Sequence, residues 1–195
     1  MKTNTQPTLL TSPNRKFHRM KQYFSLKRVW LLSIFAAAAG FGIAAVHPPR
    51  TVPINGTFGT TFKFIPTATP GVFDDPIEGV GNVPTLGFCT IVVEQTVDFR
   101  IDPPTLDPSN WVLTFAGGDQ LNVSFHGIGE PDQTDPAFAK LSGAGTITGG
   151  TGRFQNATGE LRVAGVAHVD TPPGVFPAEG HGAFELEGLV RLARH

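Results

Sequence analysis

The sequence predicts an all-β fold, an eight-stranded antiparallel β-barrel preceded by an N-terminal hydrophobic signal or anchor helix. Three observations predict it. Beyond residue 56 the apolar side chains recur at every second position, the beat of a half-buried strand rather than of a helix. The 23 glycines and 17 prolines gather in short clusters between the apolar runs, where positive φ and interrupted ladders make turns. The 16 phenylalanines give such strands enough apolar volume to close around a core.

The chain of 195 residues carries 16 acidic and 15 basic side chains, a net charge of −1, but the signs are segregated. Lys2, Arg15, Lys16, Arg19, Lys21, Lys27 and Arg28 precede every acidic residue, and an uncharged run over 29–46 follows them. A basic stretch, an apolar stretch and a small-residue end at Gly42, Ala44 and Ala45 are the parts of a secretory signal peptide. Eighteen helical residues reach about 27 Å, just short of a bilayer core of roughly 30 Å, so an uncleaved anchor remains the second reading. In either case the charge bias sends the remainder across the membrane, to a secreted, extracytoplasmic or membrane-anchored location. Only residues 29–46 would touch the bilayer. Residues 47–55, with Pro48, Pro49 and Pro53, read as an extended linker, and 56–195 as the barrel.

Eight strands are expected over 57–66, 76–83, 86–99, 111–116, 120–128, 138–148, 159–170 and 182–193. In the first, Phe58, Phe62 and Phe64 share one face. In the third, Cys89, Ile91, Val93, Val97 and Phe99 share a face, and Glu94 takes the other. Phe125, Ile147, Leu161, Val163, Phe184, Leu186 and Val190 complete the expected interior. Pro103-Pro104, Gly117-Gly118-Asp119, Pro131-Asp132, Gly149 to Gly152 and Thr171 to Gly174 mark the turns. Closing the sheet removes its free edges, with a two-sheet sandwich as the runner-up.

The segment Ser142 to Leu161, with Gly149, Gly150, Gly152, Arg153, Phe154 and Gly159, resembles the strand–turn–strand motif of the allene oxide cyclase and dirigent barrels. The stretch Gly87 to Glu94, with its Gly-Phe-Cys start, resembles a cyclase strand. The resemblance implies the barrel fold, a cavity bordered by Cys89 and frequently a trimer. It also implies an activity, cyclisation or stereochemical guidance, whose usual parts are incomplete here. The first strand has no acid where the cyclases place a glutamate, and Thr158 stands where dirigent proteins carry an arginine.

An acidic barrel region argues against nucleic-acid binding, and a single cysteine excludes an intrachain disulfide framework. Cys89 reads as a small buried hydrophobe, with no histidine placed to activate it. Arg153 reads as a turn residue tied to carbonyls or solvent. His168, Asp170, Glu179 and His181 gather around the last Pro-rich loop. Their spacing matches no known ligand set, so they read as a polar loop and no metal or other cofactor is expected. Gly149 to Gly152 lacks the following lysine and helix of a phosphate loop, and no hydrolase triad stands out. Asn55, Asn122 and Asn156 lie in glycosylation acceptor sequons. A patch of Phe88, Thr90, Val92, Thr96 and Ala144 is the expected self-association face. The expected function is an exported, non-catalytic barrel that binds an apolar small molecule or serves as an extracytoplasmic scaffold. The alternative is a cyclase-like isomerase or a dirigent-like stereo-guiding protein acting inside the cavity.

Overall fold

The computed structural model describes residues 49–193. The signal or anchor expected over 1–46 lies outside them. Eight antiparallel strands follow one another as a closed meander: β1 Arg50–Pro66, β2 Val72–Val83, β3 Gly87–Asp98, β4 Thr105–Phe115, β5 Gln120–Pro131, β6 Phe138–Gly150, β7 Thr158–Val169 and β8 Ala178–Leu192. Each pairs with its neighbour in sequence, and β8 returns to β1 from Arg50↔Leu192 to Phe64↔Ala178. The barrel expectation therefore holds, and the sandwich does not.

Four strands begin at least four residues earlier than their sequences suggested, and proline lies in or beside the extra residues each time. Residues 50–55 form the first part of β1 rather than a linker. They pair only with β8, because the β1–β2 ladder starts at Thr57↔Asn82. Pro53 thus sits on a strand with one open side, where a missing N–H is harmless. Val52 and Ile54 are buried there. In β2, Pro76 lies in register with Glu94 of β3, while the ladder to β1 is interrupted between Phe62 and Ile65. In β4, Pro108 falls within register shifts against both neighbours, between Leu106 and Ser109 in the ladder to β5 and opposite Gln95 to Val97 of β3. Such a bulge accommodates proline and re-aims the next side chain. Ser109 consequently turns inward and is buried. Strand β8 gains residues 178–181 directly after Pro177.

The two-residue beat is visible in the burial of β1 and β3, where inward and outward positions alternate almost without exception. Phe58, Phe62, Cys89, Ile91, Val93, Phe125, Ile147, Leu161, Val163, Phe184, Leu186 and Val190 are buried, and Phe64 is half-buried. Phe99, grouped by parity with Cys89, Ile91 and Val93, lies at the rim and is exposed. Small residues make room for the large rings: an added Cβ at Gly143 would stand 2.4 Å from the Phe125 ring and 2.3 Å from the His126 carbonyl.

The two barrel ends differ. At one end the β6–β7 connection forms a short 3-10 turn, Gly152–Phe154, which drops Phe154 into the barrel against Phe115. Gly152 has φ +55, and a Cβ there would collide with the Asp119 carboxylate. Arg153 clamps this end. Its Nη2 donates to the Leu86 carbonyl at 3.0 Å, its Nε lies 3.4 Å from Asp119 Oδ2, and its guanidinium stands over the Phe154 ring. The other end carries the aromatic rim Phe64, Phe73, Phe99 and Phe176, stacked, tilted or edge-on at 5.0–6.1 Å.

Candidate functional site

Inside the rim lies a cavity of about 130 Å³. Its wall is almost wholly apolar, built from inward positions of all eight strands. Among the expected interior residues, Phe62, Phe64, Val93, Phe125, Val163 and Phe184 border it. Phe58, Cys89, Ile91, Leu161 and Leu186 are buried outside its lining. Trp111 packs between Phe125 and Phe184, with ring centroids at 4.7 and 5.2 Å, and forms part of the wall.

Against this wall stands one buried polar chain. The Trp111 indole Nε1 donates to Ser109 Oγ at 2.7 Å, Ser109 Oγ donates to Gln95 Oε1 at 3.0 Å, and Gln95 Nε2 donates to Asp75 Oδ2 at 2.7 Å. An indole N–H only donates, so Ser109 accepts there and passes its own proton onward. The Gln95 carbonyl is thereby taken, and the amide is oriented with its N–H toward Asp75. Register supports the chain: Asp75 is the cross-strand partner of Gln95, and Gln95 of Ser109.

Asp75 ends the chain. It borders the cavity, is only 3% exposed, and its Oδ1 has no hydrogen-bond partner of good geometry among the described residues. Burial pushes its carboxyl up to about 6, against the opposing pull of the Gln95 amide and the backbone amide of Lys63. The Lys63 backbone amide lies close enough to oppose that rise, without meeting hydrogen-bond geometry to Oδ1. With Oδ2 held by Gln95, a proton on Asp75 is placed on Oδ1, which is itself buried. The site therefore offers an apolar pocket with one convertible polar point: an O–H donor below about pH 6 and a carboxylate acceptor above it.

Sequence reasoning missed this chain. The expected second strand began one residue after Asp75, because Pro76 looked like a strand start. Gln95 was passed over although it shares the inward parity of Ile91 and Val93, and that parity was the available signal.

Cys89 lies outside the cavity lining, and burial alone pushes its thiol up to about 11. A thiol with so little thiolate at neutral pH is a poor nucleophile. Glu94 faces outward, as its parity required. The turn residues Gly149, Gly150, Gly152, Arg153, Phe154 and Gly159 sit at the sealed end and shape the backbone there, away from the cavity. His126 is exposed and lies 3.1 Å from Asp107. On the outer wall Phe88 is 75% exposed and Val80 and Val92 are exposed with it. Ala144 is on β6, three strands from β3, and does not join that patch. Asn55 and Asn156 are exposed, and Asn122 is half-buried.

No family model and no curated protein matches the chain. Among solved structures it is similar to a pterocarpan synthase dirigent protein, at 10% sequence identity and a TM-score of 0.42, over 76% of this chain and 99% of that one. The barrel assignment rests on the strand pairing itself.

Proposed function

We propose that the barrel binds a small apolar molecule, about the size of one aromatic ring, that carries a single hydroxyl or carbonyl oxygen and presents it to Asp75. The observation that carries this reading is the unpartnered Oδ1 of a buried carboxyl belonging to a cavity wall that is almost wholly apolar. A buried polar atom without a partner costs about 1–3 kcal/mol, which a guest able to bond with it would recover. The enclosed volume is close to that of the roughly 150 Å³ apolar cavity known to admit benzene. It suits one ring better than a long-chain substrate.

The test compares p-cresol with toluene by calorimetry at pH 5. The cresol is expected to bind about tenfold more tightly, the equivalent of one hydrogen bond of about 1.4 kcal/mol. Asp75→Leu should erase that preference, and Ala167→Phe, at the cavity wall, should abolish binding of both. Equal affinity of the wild type for both compounds would remove Asp75 from recognition. Binding of both compounds that survives Ala167→Phe would remove the cavity.

A second reading is favoured by the same carboxyl. An acid that titrates near neutrality can give or take a proton from a bound guest, as a cyclase-like isomerase or a dirigent-like protein acting in the cavity would require. Asp75 would be the catalytic residue in that case, and Cys89 would have no part. Export of the barrel and its association into oligomers through the Val80, Phe88 and Val92 face belong to the same proposal.

A further inference from the structure

We infer that the outer wall of the barrel carries a second site, a divalent transition-metal site formed by His168, Asp170 and His181. His168 on β7 and His181 on β8 are direct cross-strand partners, so their side chains leave the sheet side by side. Both point Nδ1 at the same carboxylate: His168 Nδ1 lies 2.9 Å from Asp170 Oδ1, and His181 Nδ1 lies 2.9 Å from Asp170 Oδ2. All three ligand atoms lie within 4.8 Å of one another. A tetrahedral ion with bonds of 2.0–2.2 Å needs ligand atoms about 3.4 Å apart, within reach of small side-chain rotations.

The three positions are held independently of any ion. The Asp170 amide donates to the Glu179 carbonyl at 2.8 Å, which pins the turn out of β7. The Phe138 ring stands edge-on to His168 at 4.6 Å and limits its rotation. Glu179, grouped with these residues in the sequence, is not a ligand here, because its carboxylate is paired with Lys63 at 2.9 Å. The site faces outward, while Ala167 and Val169 on either side of His168 border the cavity.

Two imidazoles and one carboxylate suit zinc and its neighbours in the first transition row rather than calcium or magnesium, which take oxygen ligands. Each neutral imidazole would carry its proton on Nε2 instead of Nδ1, so binding removes no net proton from the ring. Water fills the remaining coordination position.

The experiment titrates the full chain with ZnCl2 at pH 7.5 by calorimetry and with CoCl2 by visible absorption, after removal of metal with a chelator. One equivalent of zinc is expected, together with cobalt ligand-field bands. His181→Asn and His168→Asn should each weaken zinc at least about tenfold and remove the bands, since even outer partners of ligands are worth 10–100-fold. His126→Asn, away from the cluster, should change neither. Circular dichroism of each variant reports the barrel, whose core these outward-facing side chains do not enter. Zinc binding of equal affinity in the His168→Asn/His181→Asn double variant would overturn the site, as would the absence of binding to the wild type at millimolar zinc.

Discussion

Asp75→Asn is expected to stabilise the protein at pH 8 by on the order of 2–3 kcal/mol and to have almost no effect at pH 4. The sign follows from which state holds the proton. Asp75 has a folded pKa of about 6 against a model value of 3.8, because burial disfavours its charge. Below about pH 4 the carboxyl is neutral in both states, and it imposes no penalty. Between about pH 4 and 6 the unfolded chain gives up the proton that the folded chain keeps, so stability falls as pH rises. Above about pH 6 the penalty is complete. Asparagine never charges, and its carbonyl can still accept from Gln95 Nε2, so the Trp111–Ser109–Gln95 chain keeps its end point. Asp98, Asp132 and Asp170 are shifted downward and give the opposite trend, but they do so equally in both proteins and cancel in the difference. Urea denaturation at the two pH values measures it. A stabilisation of equal size at both would mean that the carboxylate is not the strained form.

Phe154→Ala is expected to cost about 3–5 kcal/mol, among the largest effects available to a single side chain in this barrel. The ring is fully buried, packs on Phe115 at 5.1 Å, and seals the end opposite the cavity mouth. Its position is fixed by backbone geometry on both sides. Gly152 supplies the positive φ that starts the turn, and an added Cβ at Gly150 would come within 1.9 Å of the Gln120 carbonyl. The neighbouring strands cannot collapse into the space, because each is held by two ladders. A loss of this size is a large part of the 5–15 kcal/mol typical of a whole domain. Arg153→Ala should cost only about 1 kcal/mol, because its contacts are exposed and its stacking on Phe154 is worth about 0.5–1 kcal/mol. Urea denaturation at neutral pH reads both. A Phe154→Ala loss under about 1 kcal/mol would show that the ring does not close this end.

The fold was legible because period two is a robust signal. Residues such as Phe58, Ile91, Val93, Leu161 and Leu186 reveal their side of the sheet without any knowledge of register. The strand starts were not legible. Proline at 53, 76 and 108 looked like punctuation, yet each is accommodated where the sheet has an open side or an interrupted ladder. That single error hid the candidate site. Asp75 precedes Pro76 and Ser109 follows Pro108, so two members of the polar chain fell in supposed loops. The other two, Gln95 and Trp111, lay in expected strands, but hydrogen bonding between four strand positions depends on register, which no local pattern encodes. The metal-ligand cluster shows a similar limit. His168 and His181 are 13 residues apart in sequence, a spacing without a motif, and only the hairpin makes them neighbours.

The longest half-paired stretch of backbone among the described strands is the start of β1, residues 50–56, beyond the reach of β2. Such a stub is where a foreign chain would add itself and begin fibril-like stacking. Here Pro53 withholds a donor at its centre, and Thr85 Oγ already occupies the Pro53 carbonyl at 2.6 Å. The template for edge-to-edge addition along this segment is thus interrupted on both counts.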